Sequence, residues 1–203
     1  MTTFVLVPGA GGSAWYWHRL VAELARRGHD AVAVDLPAGD ESAGLAAYAA
    51  AVVAAVGERA PVVLVNAMVP LPGETGGNWW AVTRQAEARA EHAARAGLTE
   101  DPEDMAAAFF HDVPADVAAE AQTQPFAQAE RPFADPWPLD RWPDVPTRVV
   151  AGRDDRFFPA DFQRRVAAER LGLPVDEVPG GHLVALSRPV ELADRLEAYL
   201  ASR

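Results

Sequence analysis

Residues 149–159 read "VVAGRDDRFFP" and residues 178–189 read "VPGGHLVALSRP". The first begins as a buried strand and sets Asp154 and Asp155 just beyond its end, at the edge of a parallel sheet where ligands bind. The second comes after the edge strand "PVDEV" and puts His182 in a glycine loop. A histidine base needs a carboxylate to fix its tautomer and stabilise its imidazolium, and here both groups fall on neighbouring sheet loops. Each alone has a plain explanation. An Asp after a strand commonly caps a turn, and a His after Gly-Gly is often merely exposed. Together, in the order Asp then His, they read as an acid–base pair.

The elements around these stretches alternate. Phe4–Val7 reads as a short buried strand and "PGAGGS" as a turn. Trp15 to Arg27 keeps helical spacing through Trp17, Leu20, Val21 and Leu24, with Gly28 as its stop. "AVAVDLP" is a second strand ended by Pro37, and Leu45, Tyr48, Val52 and Val56 mark another helix before strand Val62–Val65. Near the end, "TRVVAG" (strand), "PADFQRRVAAERLG" (helix), "PVDEV" (strand) and "SRPVELADRLEAYL" (helix) resume the pattern, with Ser187 expected as N-cap and Pro189 in the first turn. This order predicts an α/β fold with an open, mostly parallel sheet and helices on both faces. Residues 71–146 break the rhythm with Pro, acidic and aromatic residues, helical pieces near 79–96, 102–110 and 114–122, and no strand pattern. They are expected to form a helical cap inserted into a core made of 1–70 and 147–203.

Bulk composition narrows the function classes. The 203 residues suit one domain with an inserted lid, and half of them are hydrophobic. The formal net charge is −11 and no Lys- or Arg-rich run exists, which argues against nucleic acid and anionic membrane as partners. There is no Cys, so disulfides, thiolate metal sites and a Cys nucleophile are excluded. His18, His29, His92 and His111 show no metal-ligand spacing, and surface or cap packing is expected for them. No metal and no cofactor is expected. The chain opens "MTTFVLV" with no basic n-region, and "GLAAYAAAVVAAVG" is too short to span a bilayer, so a soluble cytoplasmic protein is expected.

The first turn carries two readings. "GAGGSA", Gly9 to Ala14, fits G-x-G-x-x-A between a strand and a helix, and Asp35 ends the next strand about 20 residues on, as a dinucleotide site requires. Against this, Trp15, Tyr16 and Trp17 crowd the position of a pyrophosphate, and the chain has no Lys. The rival makes the turn an oxyanion loop whose free backbone N–H groups face a developing negative charge.

The far end of the chain decides for the rival, and with it comes a family resemblance. "FVLVPGAGGSAWYWHRLVAELARRGHDAVAVDLPA", "GRDDRFFP" and "GGHLVALSRP" resemble the opening strand and oxyanion loop, the acid motif and the histidine motif of α/β-hydrolases. The likeness is to the compact branch that includes plant-type methylesterases and hydroxynitrile lyases. It implies that Asp155 is the triad acid, His182 the general base, and the N–H of Ala10, next to Gly9, one oxyanion donor. Pro8 departs from it, since the family usually has His there.

A larger departure lies at residues 61–80, "PVVLVNAMVPLPGETGGNWW". The family needs G-x-S-x-G on a strained turn after its central strand, then a helix and another strand. Here Val62–Val65 runs straight into Asn66-Ala67-Met68, which resembles the segment after the next strand in family members. The serine is absent, and with it the N–H that supplies the second oxyanion donor. The serines present are Ser13, Ser42, Ser187 and Ser202, of which only Ser13, in the oxyanion loop, is a candidate nucleophile. Trp79 and Trp80 start the cap and are candidates for lining the substrate pocket. The resemblance implies a serine hydrolase of small esters or amides, impaired by the loss of its nucleophile segment. Alternatives are a catalytically inactive small-molecule binder on the same scaffold and a lyase-like proton-transfer enzyme using the His182–Asp155 dyad. The expected partner is a small ester- or amide-like molecule. Loss of a covering helix would expose apolar surface and favour self-association.

Overall fold

The computed structural model describes residues 1–57, 62–99, 104–124 and 127–201. Ser202, and the first two positions of the helical piece expected from residue 102, lie outside the described residues. The chain divides into two compact units: Met1–Arg59, Val113–Pro132 and Val184–Arg203 form one, and Ala60–Asp112 and Phe133–Leu183 the other. Residues 113–132 of the helical segment thus group with the first unit, and the rest of that segment with the second.

In the first unit, β1 (Thr3–Leu6) pairs in parallel with β2 (Asp30–Ala33), Phe4 opposite Ala31. The connection is a 3₁₀ turn over Ala14–Trp17 and then α1 (His18–Arg26), where the periodicity predicts one continuous helix. Helix α1 buries Leu20 and Leu24 completely. Just past its end comes Gly28, whose φ of 82° is open to glycine at no steric cost. Glu23 also lies on the buried side of α1 and accepts hydrogen bonds from Arg26 and Arg27, while Arg27 reaches Asp194 and Glu197 on the last helix. These guanidinium groups pull the Glu23 carboxyl down to about 2.

Helix α2 (Leu45–Val56) is apolar throughout yet has no buried residue, and its Val53 is 66% exposed. At the C-terminal end, α9 (Val184–Ser187) and α10 (Pro189–Ala201) replace the single expected helix. Ser187 does not cap α10 with its side chain; its hydroxyl is buried without a partner. The backbone instead carries the chain across the junction, with Arg188 N donating to Val184 O and Leu192 N to Arg188 O.

In the second unit, β3 (Val62–Val65), β4 (Thr147–Gly152) and β5 (Val175–Val178) form a parallel sheet in that order, with β5 at the edge. Helix α8 (Ala160–Leu171) crosses over between β4 and β5 and packs on both. Residues 71–146 contain α3 (Gly76–Thr83), α4 (Gln85–Ala96), α5 (Met105–Phe110), α6 (Ala115–Ala121) and α7 (Arg131–Ala134), and no strand among the described residues. Thr75 caps α3 by accepting from Asn78 N. The helix expected over 79–96 breaks at Arg84, which adopts a left-handed φ of 55°. Two side-chain bonds flank the break: Thr83 Oγ1 donates back to Trp79 O, and Gln85 Nε2 donates to Phe157 O at 2.6 Å. The core of this unit gathers Val69, Trp79, Ala108, Phe157, Phe158, Phe162 and Val166. Among the described residues, no helix is long and apolar enough to cross a membrane.

Candidate active site

Asp155 sits in the loop after β4 and His182 in the loop after β5. His182 Nδ1 lies 2.8 Å from Asp155 Oδ2. A carboxylate only accepts, so Nδ1 carries the proton of this bond and Nε2 is left as the basic nitrogen. Asp155 is fully buried, and its other oxygen, Oδ1, accepts from the N–H groups of Phe157 and Phe158 at 2.8 Å each. The turn "DDRFF" therefore folds back on its own carboxylate and holds it independently of the histidine. Asp154 does something else. It is exposed, and its Oδ2 accepts from Gly180 N at 3.1 Å.

The histidine ring is enclosed by aromatic edges. Phe109, Phe157 and Phe158 stand T-shaped to it, with centroids at 4.7, 5.1 and 5.1 Å. Trp80 packs on Phe157 and Phe158 at 5.7 and 5.8 Å. Trp79 is wholly buried and donates Nε1–H to Val69 O, so it serves as core and has no face to offer a ligand. A cleft of about 280 Å³ is lined by Arg84, Glu87, Ala88, Glu91, Arg165 and Glu169, and another of about 590 Å³ by Leu139, Asp140, Arg141, Pro143 and Asp144. Neither is lined by His182 or Asp155.

The loop that carries His182 is held at nearly every backbone polar group. Gly180 O accepts from Asp154 N, and Gly181 N donates to Asp112 Oδ2 at 2.7 Å. Asn66 Nδ2 donates to Gly181 O at 3.2 Å and to His182 O at 2.8 Å. Beneath the loop, a side chain on Gly152 would run into the carbonyl oxygens of Gly180 and Gly181, so only glycine lets β4 pass so close.

His111, expected to lie at the surface or to pack within the cap, has a ring nitrogen buried. Its Nε2 and the neighbouring Asp112 Oδ1 are buried without partners, and a side chain on Gly181 would run into both. Burial pushes its pKa below the ordinary value, Arg156 adds to that, and Asp112 and Asp155 oppose it.

In the first unit, the glycine loop takes the form of a turn closed by Gly12 N donating to Gly9 O at 3.1 Å. Gly11 N donates to Gln128 Oε1, while the Ala10 N–H has no acceptor among the described residues. Asp35, the acid of the dinucleotide reading, accepts from Ala14 N at 2.8 Å and so serves to close this loop. Ser13 precedes the 3₁₀ turn with no side-chain capping bond, and Ser42 donates to Asp40 Oδ1.

Asn66, Gln163, Asp112 and His111 escape a sequence reading because their roles arise from contacts across long separations. Only Asn66 leaves a trace, as a poor strand former directly after four β-branched or Leu residues.

This geometry has well-defined relatives. A crystal structure of polyneuridine aldehyde esterase is similar over 98% of this chain and 98% of that one, at 19% identity and a TM-score of 0.72. A pyrethroid hydrolase from Sphingobium faniae JZ-2 is similar over 98% and 96% at 17% identity and a TM-score of 0.71. A methylesterase from Arabidopsis is similar over 100% of both chains at 18% identity and a TM-score of 0.71. At such identities the likeness establishes the fold, which is that of α/β-hydrolases. No curated protein sequence matches the chain. The model of the alpha/beta hydrolase family matches residues 42–195, well over half of the chain. The chain belongs to the alpha/beta hydrolase family.

Proposed function

We propose that this protein descends from serine hydrolases of small esters or amides and keeps their acid–base half without their nucleophile. The observation that carries the reading is the His182–Asp155 bond, with the acid buried and its second oxygen already satisfied by two backbone N–H groups. The sequence supplies the complement: no G-x-S-x-G exists, and Asn66 stands directly after β3 where a serine is needed.

Chemically, His182 Nε2 takes a proton from water, the hydroxide adds to the ester carbonyl carbon, and the imidazolium returns the proton to the departing alkoxide. Asp155 holds the Nδ1 proton throughout. In the first unit, the Ala10 N–H is exposed and without an acceptor among the described residues, which supports reading this turn as an oxyanion loop, and Gly9 gives the turn its shape. Removing a triad member leaves about 10³–10⁴-fold catalysis over water. A lost oxyanion donor costs a further factor of about 10²–10³. Turnover is therefore residual. The collar of Phe109, Phe157 and Phe158, backed by Trp80, supports an apolar acyl or alkyl group as the part of the ligand nearest His182. We assign residues 71–146 as the inserted helical cap, and α2, apolar and without a fully buried residue, supports self-association.

The test is fluorophosphonate labelling together with hydrolysis of p-nitrophenyl esters. The expected result is no covalent adduct and a slow, His182-dependent turnover. Stoichiometric labelling abolished by Ser13→Ala would overturn the reading and make Ser13 the nucleophile. A second reading, proton transfer from a carbon acid by the dyad alone, is favoured by the apolar enclosure of His182, which would strengthen the base's interaction with a charged intermediate.

A further inference from the structure

The strand end that lacks a serine is not idle. Asn66 adopts a left-handed φ of 46°, a conformation that Asn tolerates better than most residues, and is 7% exposed. Its backbone N–H still donates to Val150 O, so the turn begins while the residue is tied to β4. The carboxamide then uses its whole hydrogen-bonding capacity. Oδ1 accepts from Gly152 N at 2.8 Å and from Gln163 Nε2 at 3.1 Å, and Nδ2 donates to Gly181 O at 3.2 Å and to His182 O at 2.8 Å. One side chain thereby joins the end of β3, the end of β4, helix α8 and the histidine loop.

Gln163 extends the link to the acid. It is buried on α8, donates to Phe158 O at 2.7 Å and to Asn66 Oδ1, and lies 3.4 Å from Asp155 Oδ2, the oxygen that accepts from His182. Asn66 therefore reaches the base through the backbone carbonyl of His182 itself, and the acid through Gln163. A carboxamide is suited to the place because it presents two donors and an acceptor in one plane. A carboxylate there would face two carbonyl oxygens with no proton to offer.

We infer that Asn66 is the positioning residue of the His182–Asp155 pair, with Gln163 as its relay to the acid. It touches no reacting atom in this role. It sets where the imidazole stands by fixing the backbone on which the imidazole is carried, and a pair assembled in this way does not depend on a nucleophile turn for its geometry. The inference rests on reading His182 and Asp155 as the acid–base pair, but its test reads the geometry of the pair and not turnover, so the two fail separately.

The experiment is proton NMR of the full chain at low temperature, tracking the low-field resonance of a histidine Nδ1–H bonded to a carboxylate, identified by its loss in His182→Gln. Asn66→Gly removes the carboxamide while easing the left-handed backbone. The expected result is that the resonance is lost in folded Asn66→Gly and retained in Thr83→Ala, which removes a buried hydroxyl bond elsewhere in the same unit. A folded Asn66→Gly protein with the resonance unchanged in position and intensity would overturn the inference. Should Asn66→Gly fail to fold, Gln163→Met keeps the packing and removes the relay, and an unchanged resonance in that variant overturns the inference equally. Absence of the resonance from the wild-type protein would instead overturn the pairing on which the inference rests.

Discussion

Asp155 faces His182 at 2.8 Å, while Asp154, one residue earlier, turns to the N–H of Gly180. Adjacent carboxylates thus have separate duties, and substitution distinguishes them. In Asp155→Asn, one oxygen can still accept from Phe157 and Phe158, but the new amide opposes the Nδ1–H of His182 inside a fully buried site. Loss of a buried, charge-assisted bond costs about 1–3 kcal/mol. Asp154→Asn, at an exposed position, costs well under that. Urea unfolding of the two variants checks the difference, and equal losses would mean that the buried pair carries no stability.

The acid and base are legible in the sequence because their pattern is local: an Asp just past one strand, a His in a glycine loop just past the next. Asn66 is not legible as a support, because its four partners lie between 86 and 116 residues away in sequence. Trp79 and Trp80 show the same limit from another side. Neighbours in sequence, they differ in burial: both reach the Phe158 ring, but the helix turns Trp79 wholly into the core and leaves Trp80 partly buried against that ring. The break at Arg84 has no propensity signal, since the side-chain bonds on either side of it, above all Gln85 to Phe157, are tertiary or arise only once the helix has formed.

Two glycines separate steric need from loop chemistry. A Cβ on Gly152 would lie 2.6 Å from Gly180 O and closer still to Gly181 O, both backbone atoms of the loop that holds His182. Gly152→Ala must therefore displace that loop, at a cost of about 1–3 kcal/mol for overpacking. A Cβ on Gly9 would meet nothing within 4 Å, and its backbone is not in the left-handed region. Gly9→Ala should leave the melting temperature nearly unchanged. A stable Gly152→Ala protein would show that the loop yields easily.

Acid should release the Glu23 cluster. With its carboxyl held near 2 in the folded chain against an ordinary value of 4.5, Glu23 binds fewer protons folded than unfolded across that interval. Its contribution is complete above about pH 4.5 and falls away as the pH drops toward 2. Glu23→Gln should therefore unfold at a lower temperature than the wild type at pH 7, with the gap narrowing as the pH falls through this interval. A gap independent of pH would assign the loss to packing and not to the ion pairs with Arg26 and Arg27.

The nucleophile cannot be restored by placing a serine at the end of β3. Position 66 looks like the site for one, since it comes directly after a buried parallel strand and has the left-handed backbone of a strained turn. Its side chain, however, is aimed at the Gly152 amide and at the carbonyls of Gly181 and His182, not at the His182 ring. A nucleophile must lie within hydrogen-bond reach of the basic nitrogen, and His182 presents its backbone to this position. Asn66→Ser, with a single hydroxyl proton, would leave at least one of those backbone carbonyls unpaired and give no attacking atom in return. The expected outcome is a protein less stable by about 1–3 kcal/mol per unsatisfied group and still unlabelled by fluorophosphonate. Covalent labelling at the introduced hydroxyl with faster ester turnover would show instead that the strand end lies within reach of the base, and that a single substitution completes the triad.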